Sequence, residues 1–169
     1  MIVVEGHDGN VRRSTVLEPT LFPDGTSQVW KVPPWVLRPD DDLTVTWHFE
    51  AERELMDLLS FAELKGAHKI DLVMPYLPYA RQDKKVDNGQ TFNLRVFLKV
   101  LRVTGFRSIA AESPHSTHLL EGVVSVRERA FRGIDARDRD LVVVYPDSSA
   151  YERYRNNVEL ADKPYSEDI

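Results

Sequence analysis

Strand-like and helix-like hydrophobic patterns alternate along most of this chain. Apolar side chains occupy every second position of residues 43–49, which is typical of a strand with one buried face. Short apolar runs indicate further strands, and the full predicted set is 2–4, 43–49, 70–74, 107–111 and 141–145. Because helical segments separate the last four strands, this order favours an α/β fold with a mainly parallel central sheet flanked by helices.

Two of the intervening segments have the spacing of amphipathic helices. The first covers residues 50–65 and ends before Gly66, and its predicted apolar stripe consists of Leu55, Met56, Leu58, Leu59 and Ala62. The second ends at Gly105, and its apolar residues recur at i, i+3, i+4 and i+7, namely Leu94, Phe97, Leu98 and Leu101. Weaker patterns predict a single helical turn at 118–122 and a helix at 150–160.

Length and charge limit the classes of protein to which the chain can belong. Its 169 residues suffice for one domain, and no run of about 18 apolar residues occurs that would predict a transmembrane helix. The first ten residues contain Glu5 and Asp8, unlike a signal peptide, and cysteine is absent, so we expect a cytoplasmic protein. The net charge of −5 predicts neither a nucleic-acid nor a membrane partner, so an anionic ligand would need a local basic cluster.

One basic segment follows a predicted strand. Ligands of open parallel sheets bind beyond the carboxyl ends of the strands, and residues 75–85 begin where one strand ends. The segment contains Arg81, Lys84 and Lys85, whose cationic groups suit phosphate oxygens. The neighbouring Gln82 can both donate to and accept from a nucleobase. The alternative is a solvated surface turn, as most charged runs are.

Three other segments carry side chains with two interpretations each. His115 and His118 have a spacing that suits a metal ion on a helix, but such a pair is more often polar surface. Asp147 follows the last predicted strand, where it could meet Mg²⁺ or cap a helix. Residues 22–25 predict a hairpin turn, beside which an exposed Phe22 could stack on a base.

Taken in order, these segments resemble one enzyme family. The Phe-Pro-Asp-Gly sequence at 22–25, MPYLPYARQDKK at 74–85, the loop with His115 and the Tyr-Pro-Asp sequence at 145–147 are similar to the N-terminal half of the ribose-phosphate diphosphokinases. The YLPYARQDKK string is close to diagnostic of the family, and the resemblance covers nearly the whole chain. It implies a phosphoribosyltransferase-type three-layer α/β fold.

The resemblance also implies an activity. The family transfers the β,γ-diphosphoryl group of ATP to the C1 hydroxyl of ribose 5-phosphate with Mg²⁺, and it forms homo-oligomers, such as hexamers built from dimers. Residues 1–160 would be the N-terminal ATP-binding domain, and residues 161–169 would begin the connection to a C-terminal domain that binds ribose 5-phosphate. We therefore expect no catalytic residue in this half and no complete reaction by residues 1–169 alone.

The resemblance assigns roles to individual residues. Phe22 and Asp24 resemble a turn that receives adenine and reaches a neighbouring subunit. Asp147 resembles a carboxylate of the family near the metal and the ribose. His115 resembles a histidine of the family that helps to hold Mg-ATP. The implied ATP-binding residues are Phe22, Asp24, Arg81, Gln82, Lys84, Lys85 and His115, and the implied metal ligands are His115 and Asp147.

The chain departs from the family pattern at several of these positions. Thr26 stands where the family has a glutamate after Phe-Pro-Asp-Gly, and Ser113 stands where it has an acidic residue. Residues 148–150 read Ser-Ser-Ala, whereas the family has glycines that let backbone amides approach a pyrophosphate. These changes support an alternative, a non-catalytic paralogue that regulates a synthetase or assembles with one.

Overall fold

Among the described residues, six strands form one mixed sheet and two more form a separate hairpin. The computed structural model describes residues 1–8, 10–84, 87–115, 117, 119–127, 148 and 151–152. The strands are β1 (Ile2–Asp8), β2 (Val11–Leu17), β3 (Pro19–Leu21), β4 (Ser27–Val29), β5 (Leu43–Trp47), β6 (Ile70–Met74), β7 (Ser108–Glu112) and β8 (Ser125–Arg127). The helices are α1 (Arg53–Lys65) and α2 (Asn93–Val103), with a short 3-10 turn at Ala67–Lys69.

The central sheet has the strand order β2-β1-β5-β6-β7-β8. β1 runs antiparallel to β2 and β5, whereas β5, β6, β7 and β8 are parallel to one another. The parallel register pairs Val45 with Leu72 and Met74 with Ala111. Since α1 connects β5 to β6 and α2 connects β6 to β7, the predicted α/β fold with a mainly parallel central sheet is confirmed.

The residues that the alternation in β5 and the spacing in α2 predicted to face inward are part of the core. In β5 the side chains of Leu43, Val45 and Trp47 are buried. The Trp47 ring lies against Phe97 of α2, with 6.1 Å between ring centroids. All four apolar residues predicted for the inner face of α2 are buried, namely Leu94, Phe97, Leu98 and Leu101. One part of the hydrophobic core therefore lies between this helix and the centre of the sheet, and Leu58 and Phe61 of α1 belong to the core as well.

Helix α1 differs from its prediction in its start and in its buried face. It begins at Arg53 rather than at residue 50, and Met56, predicted in the apolar stripe, is 62% exposed. Its buried residues are Glu54, Asp57, Leu58, Phe61, Ala62 and Lys65. Charged side chains can lie on this buried face of α1 because residues of other elements form hydrogen bonds with them. For example, Trp47 Nε1 donates to the Glu54 carboxylate at 3.0 Å.

Several strands were not predicted from the sequence. Among the described strands, they are β2 and β8, which stand first and last in the strand order, and β3 and β4, of which only the connecting turn was predicted. Of the helical turn predicted at 118–122, residues 119, 121 and 122 form turns rather than a helix, and residue 118 lies outside the described residues. The strand predicted at 141–145 and most of the helix predicted at 150–160 lie outside the described residues.

An ion-pair network ties the amino ends of the parallel strands together. Arg107 precedes β7, and its guanidinium pairs with Asp42 before β5 and with Asp71 in β6, where the Nε–Oδ1 distance is 3.0 Å. Ser108 Oγ donates to the same Asp71 oxygen at 2.6 Å. Three neighbouring strands are thus held in register at this edge.

The chain divides into two compact units, Met1–Glu128 and Arg129–Ile169. The sheet and both helices described above belong to the first unit. In the second, Ser148, Tyr151 and Glu152 are helical. Within the described part of the chain, no helix combines the length and the apolar composition needed to cross a bilayer.

Candidate ligand site at the carboxyl edge of the sheet

Two loops with polar side chains leave the sheet from neighbouring strands. β6 ends at Met74 and β7 at Glu112, and the two strands are parallel and hydrogen-bonded, with Met74 opposite Ala111. The segments 75–84 and 113–115 therefore start side by side at the carboxyl edge of the sheet. This edge is where α/β proteins of this topology bind ligands.

The segment after β6 alternates buried anchors with exposed polar side chains. Leu77 and Ala80 are 1% and 2% exposed, and the Ala80 N–H donates to the Leu77 carbonyl at 3.3 Å in a tight turn. Arg81, Gln82 and Lys84 follow, and all three are exposed. The anchors fix the start of the segment, so that its polar residues project from a defined place.

The two described cations of this segment are not neutralised within the described part of the chain. No described residue forms an ion pair with Arg81 or Lys84. In residues 81–84 these two cations stand against one carboxylate, Asp83, so the segment carries a positive balance within a protein of net charge −5. Lys85, predicted to add to this cluster, lies outside the described residues.

Tyr79 connects this segment to helix α1. Its hydroxyl donates to Glu52 Oε1 at 2.6 Å, and Glu52 immediately precedes the helix. The hydrogen bond to Glu52, together with burial and the negative charge of Glu52, raises the pKa of the Tyr79 phenol to about 12. Tyr79 also has a φ of 61°, a left-handed conformation that costs a bulky residue roughly 1–3 kcal/mol.

The loop after β7 also begins with a left-handed residue. Ser113 has a φ of 41°, and its N–H donates to the Arg127 carbonyl of β8 at 3.0 Å. His115 follows two residues later and is exposed. Strained backbone conformations of this kind cluster at functional sites, and here two of them follow adjacent strands.

The described residues do not include a site for a protein-held metal ion. No group of three or more His, Asp or Glu side chains among them could hold one. Mg²⁺ requires oxygen ligands, and the imidazole of His115 is not one. Asp147 lies outside the described residues, so the metal roles of His115 and Asp147 stay predictions.

The turn at residues 22–25 joins β3 to β4, as the hairpin interpretation predicted. The Phe22 N–H donates to the Thr26 carbonyl at 2.8 Å, and Gly25 has a φ of 85°, which glycine adopts without strain. The Asp24 carboxylate accepts hydrogen bonds from the Thr26 hydroxyl at 2.7 Å and N–H at 2.9 Å, which lower its pKa. Phe22 is 36% exposed.

The turn at residues 22–25 is linked to helix α1 through the strand that follows it. The hairpin is tied to α1, where Ser27 Oγ donates to Asp57 Oδ1 at 2.6 Å. No hydrogen bond or ring contact among the described residues joins Phe22 or Asp24 to the segment 75–84.

Sequence reasoning missed the roles of Tyr79 and Glu52. Tyr79 lies inside the string YLPYARQDKK, but nothing in the string indicates a left-handed tyrosine. Glu52 reads as an ordinary acidic residue before a helix. Their hydrogen bond joins residues 27 positions apart, which only the fold reveals.

Comparison with known protein families gives a match to the part of the chain that contains Glu52, Tyr79 and the basic segment. Residues 43–105 match the family described as the N-terminal domain of ribose phosphate pyrophosphokinase. They include β5, α1, β6, the basic segment and α2. This chain is related to the N-terminal half of the ribose-phosphate pyrophosphokinases. The family is the one named above as ribose-phosphate diphosphokinases, so the resemblance noted in the sequence is confirmed.

Individual ribose-phosphate pyrophosphokinases match more of the chain than the family domain does. The protein of Saccharolobus solfataricus is 28% identical over 159 residues, which cover 89% of this chain and 54% of that protein. The protein of Thermococcus kodakarensis is 27% identical over 155 residues, covering 86% and 54%. That of Halobacterium salinarum is 34% identical over 119 residues, covering 68% and 39%. The chain spans about half the length of the curated relatives it matches.

Proposed function

We propose that this protein provides the ATP-binding half of a ribose-phosphate pyrophosphokinase. In that reaction the β,γ-diphosphoryl group of ATP moves to the C1 hydroxyl of ribose 5-phosphate. The observation that carries the proposal is the exposed cluster of Arg81, Gln82 and Lys84 at the carboxyl edge of the sheet, beside the loop that follows β7. The similarity of the chain to the N-terminal halves of these enzymes supports it.

The cluster has the chemistry that a nucleoside triphosphate requires. The Arg81 guanidinium can donate two parallel hydrogen bonds to phosphate oxygens, and Lys84 adds a mobile positive charge. Gln82 can donate and accept at a nucleobase edge. Diphosphoryl transfer depends mainly on charge neutralisation and positioning, so groups that hold the phosphates contribute without forming a covalent bond.

Other predicted residues complete the proposed site. We assign Lys85 to the phosphates and His115 to Mg-ATP, in which Mg²⁺ arrives with the nucleotide as part of the substrate. Asp147 would approach the metal and the ribose. Phe22 and Asp24 would receive adenine from a neighbouring subunit, as the resemblance to the family implies.

The proposal extends to partners and location. It assigns residues 1–160 to the ATP-binding domain and ribose 5-phosphate to the half of the relatives that this chain does not match. It includes a dimer-based homo-oligomer, which the resemblance to the family implies, with the turn at residues 22–25 reaching a neighbouring subunit. A cytoplasmic location fits the absence of cysteine and the acidic composition.

Titration with Mg-ATP tests the assignment of the cations. We expect Arg81→Ala to weaken Mg-ATP binding by about 10- to 100-fold, because a hydrogen bond to a charged group is worth roughly 1.5–3 kcal/mol. Lys84→Ala should have a smaller effect of the same sign. Arg95→Ala, which removes an exposed cation of α2, is the matched control and should leave the dissociation constant unchanged. An unchanged affinity in Arg81→Ala would refute the assignment.

An activity assay tests the division of roles between the two halves. With ATP, Mg²⁺ and ribose 5-phosphate present, residues 1–169 alone should bind nucleotide and form no phosphoribosyl pyrophosphate. Product formation by this chain alone would contradict the proposed placement of the ribose 5-phosphate site.

A further inference from the structure

We propose that Glu52 and Tyr79 are a positioning pair that holds Arg81 and Gln82 in the arrangement that binds the nucleotide. This inference rests on the proposed function for its ligand, and on the contacts of Tyr79 for its structural part. Neither residue is assigned to the phosphates or the base.

The backbone at Tyr79 determines where the polar side chains go. The residue lies between the buried anchor Leu77 and the exposed Arg81, and it has a φ of 61°. Its carbonyl accepts a hydrogen bond from the Gln82 N–H at 2.8 Å. A change in the backbone conformation of Tyr79 would therefore change the direction of the chain at Arg81 and Gln82.

The side chain of Tyr79 is held from three directions. Its hydroxyl donates to Glu52 at 2.6 Å, at the start of α1. Its ring lies 5.6 Å from the Phe97 ring of α2 and 6.4 Å from the Phe49 ring that follows β5, measured between centroids. The basic segment is thereby fixed to two helices and to the end of a neighbouring strand. This anchoring maintains a left-handed conformation that a tyrosine rarely adopts.

The expected consequence is preorganisation of the ligand site. Without the Glu52 hydrogen bond, the aromatic contacts remain, but the segment gains conformations in which Arg81 and Gln82 point elsewhere. Apparent affinity falls in proportion to the population of the competent arrangement. The hydroxyl of Tyr79 is committed to a carboxylate, so the pair acts through Arg81 and Gln82 and not by contact with the nucleotide.

Two measurements on the same variants test the inference. The variants are Tyr79→Phe, Glu52→Ala and their combination, with Glu52→Gln as a conservative replacement that keeps an acceptor oxygen. Tyr76→Phe is the control, since Tyr76 is 53% exposed and lies in the same segment. The first measurement is the dissociation constant of Mg-ATP by calorimetry. The second is the rate of tryptic cleavage after Arg81 without nucleotide, at a temperature well below thermal unfolding.

The pair predicts a specific pattern in both measurements. Tyr79→Phe and Glu52→Ala should each weaken Mg-ATP binding by about 3- to 10-fold, the value of one hydrogen bond. The combination should be no weaker than either single variant, because both remove the same bond. Glu52→Gln should recover part of the affinity. Cleavage after Arg81 should be faster in Tyr79→Phe and Glu52→Ala, and unchanged in Tyr76→Phe.

Each of the other outcomes contradicts one stated part of the inference. Unchanged cleavage in both Tyr79→Phe and Glu52→Ala would show that the bond does not hold the segment. Faster cleavage with unchanged Mg-ATP affinity would show that it does not position Arg81 and Gln82 for the nucleotide. If the wild-type protein fails to bind Mg-ATP, the proposed function fails, while the cleavage rates still decide whether the pair holds the segment.

Discussion

At the scale of single residues, Glu54 shows how a buried charge is accommodated. Its carboxylate accepts hydrogen bonds from Trp47 Nε1 at 3.0 Å, from the Glu50 N–H at 2.9 Å and from the amino group of Met1 at 2.5 Å. Burial acts to raise the pKa of this carboxyl, but the hydrogen bonds outweigh it, and the pKa lies below its usual value. The charged form is therefore the one that the fold stabilises.

Glu54→Gln should destabilise the protein in a pH-dependent way. At pH 7 we expect a loss of about 1–3 kcal/mol in the free energy of unfolding, since donors would face a neutral partner. Because the folded-state pKa is below the ordinary 4.5, this contribution is complete above pH 4.5 and disappears as the pH falls through the folded-state pKa. Urea unfolding at several pH values would measure the difference between the two proteins.

The matched control for this prediction is Glu63→Gln on the same helix. Glu63 is exposed, so its neutralisation should change the free energy of unfolding by less than about 0.5 kcal/mol. A loss in Glu54→Gln that stays the same at acidic and neutral pH would contradict the role given to the charge.

The placement of Arg81, Gln82 and Lys84 was predictable at this scale, whereas their support was not. They follow a short apolar strand, and parallel topology puts such residues at the ligand-binding edge. The bond from Tyr79 to Glu52 depends on a left-handed backbone and a distant helix start. Local pattern carries no information about either, because both result from tertiary packing.

At the scale of elements, the two helices show when periodicity is sufficient. α2 buries only apolar residues, so its spacing predicted its inner face. α1 buries Glu54, Asp57 and Lys65 as well, each next to a partner from elsewhere in the chain. A pattern based on polarity assigns such charged residues to solvent and apolar residues to the core. For this reason it placed Met56 on the buried face, although Met56 is exposed.

Substitutions in α2 test this difference between its faces. Leu101→Ala should lower the free energy of unfolding by about 2–5 kcal/mol, because Leu101 is 1% exposed and its loss leaves a cavity. Val103→Ala, two residues further on, removes a side chain that is 82% exposed and should change stability by less than about 0.5 kcal/mol. Chemical denaturation of both variants would measure the contrast, and similar losses would refute the assigned faces.

The first and last of the described strands in the sheet, β2 and β8, were missed for a physical reason. β2 has a single buried residue, Leu17, so its sequence shows no alternation for a pattern to detect. β8 has only three residues and none that is fully buried. Strands this exposed are held by backbone pairing with a neighbour, and backbone pairing leaves little trace in sequence.

At the scale of the whole molecule, the network around Arg107 joins three strands that are far apart in sequence. Arg107→Met should cost about 1 kcal/mol, because the side chain is 38% exposed and such pairs are weak in water. In 1 M NaCl the loss should shrink, since the screening length falls to about 3 Å. Urea unfolding at low and high salt would test this, with Arg95→Met as a control. A loss that grows with salt would rule out an electrostatic origin.

The two ends of the parallel sheet differ in how freely their residues can change over evolution. At the amino ends, charges are paired with one another, so a substitution at Arg107 leaves Asp42 and Asp71 without this partner. At the carboxyl ends, Arg81 and Lys84 support no other part of the described chain, and their replacement leaves the scaffold intact. A lineage can therefore exchange its ligand while it keeps this sheet, and conservation of the fold alone does not preserve the chemistry.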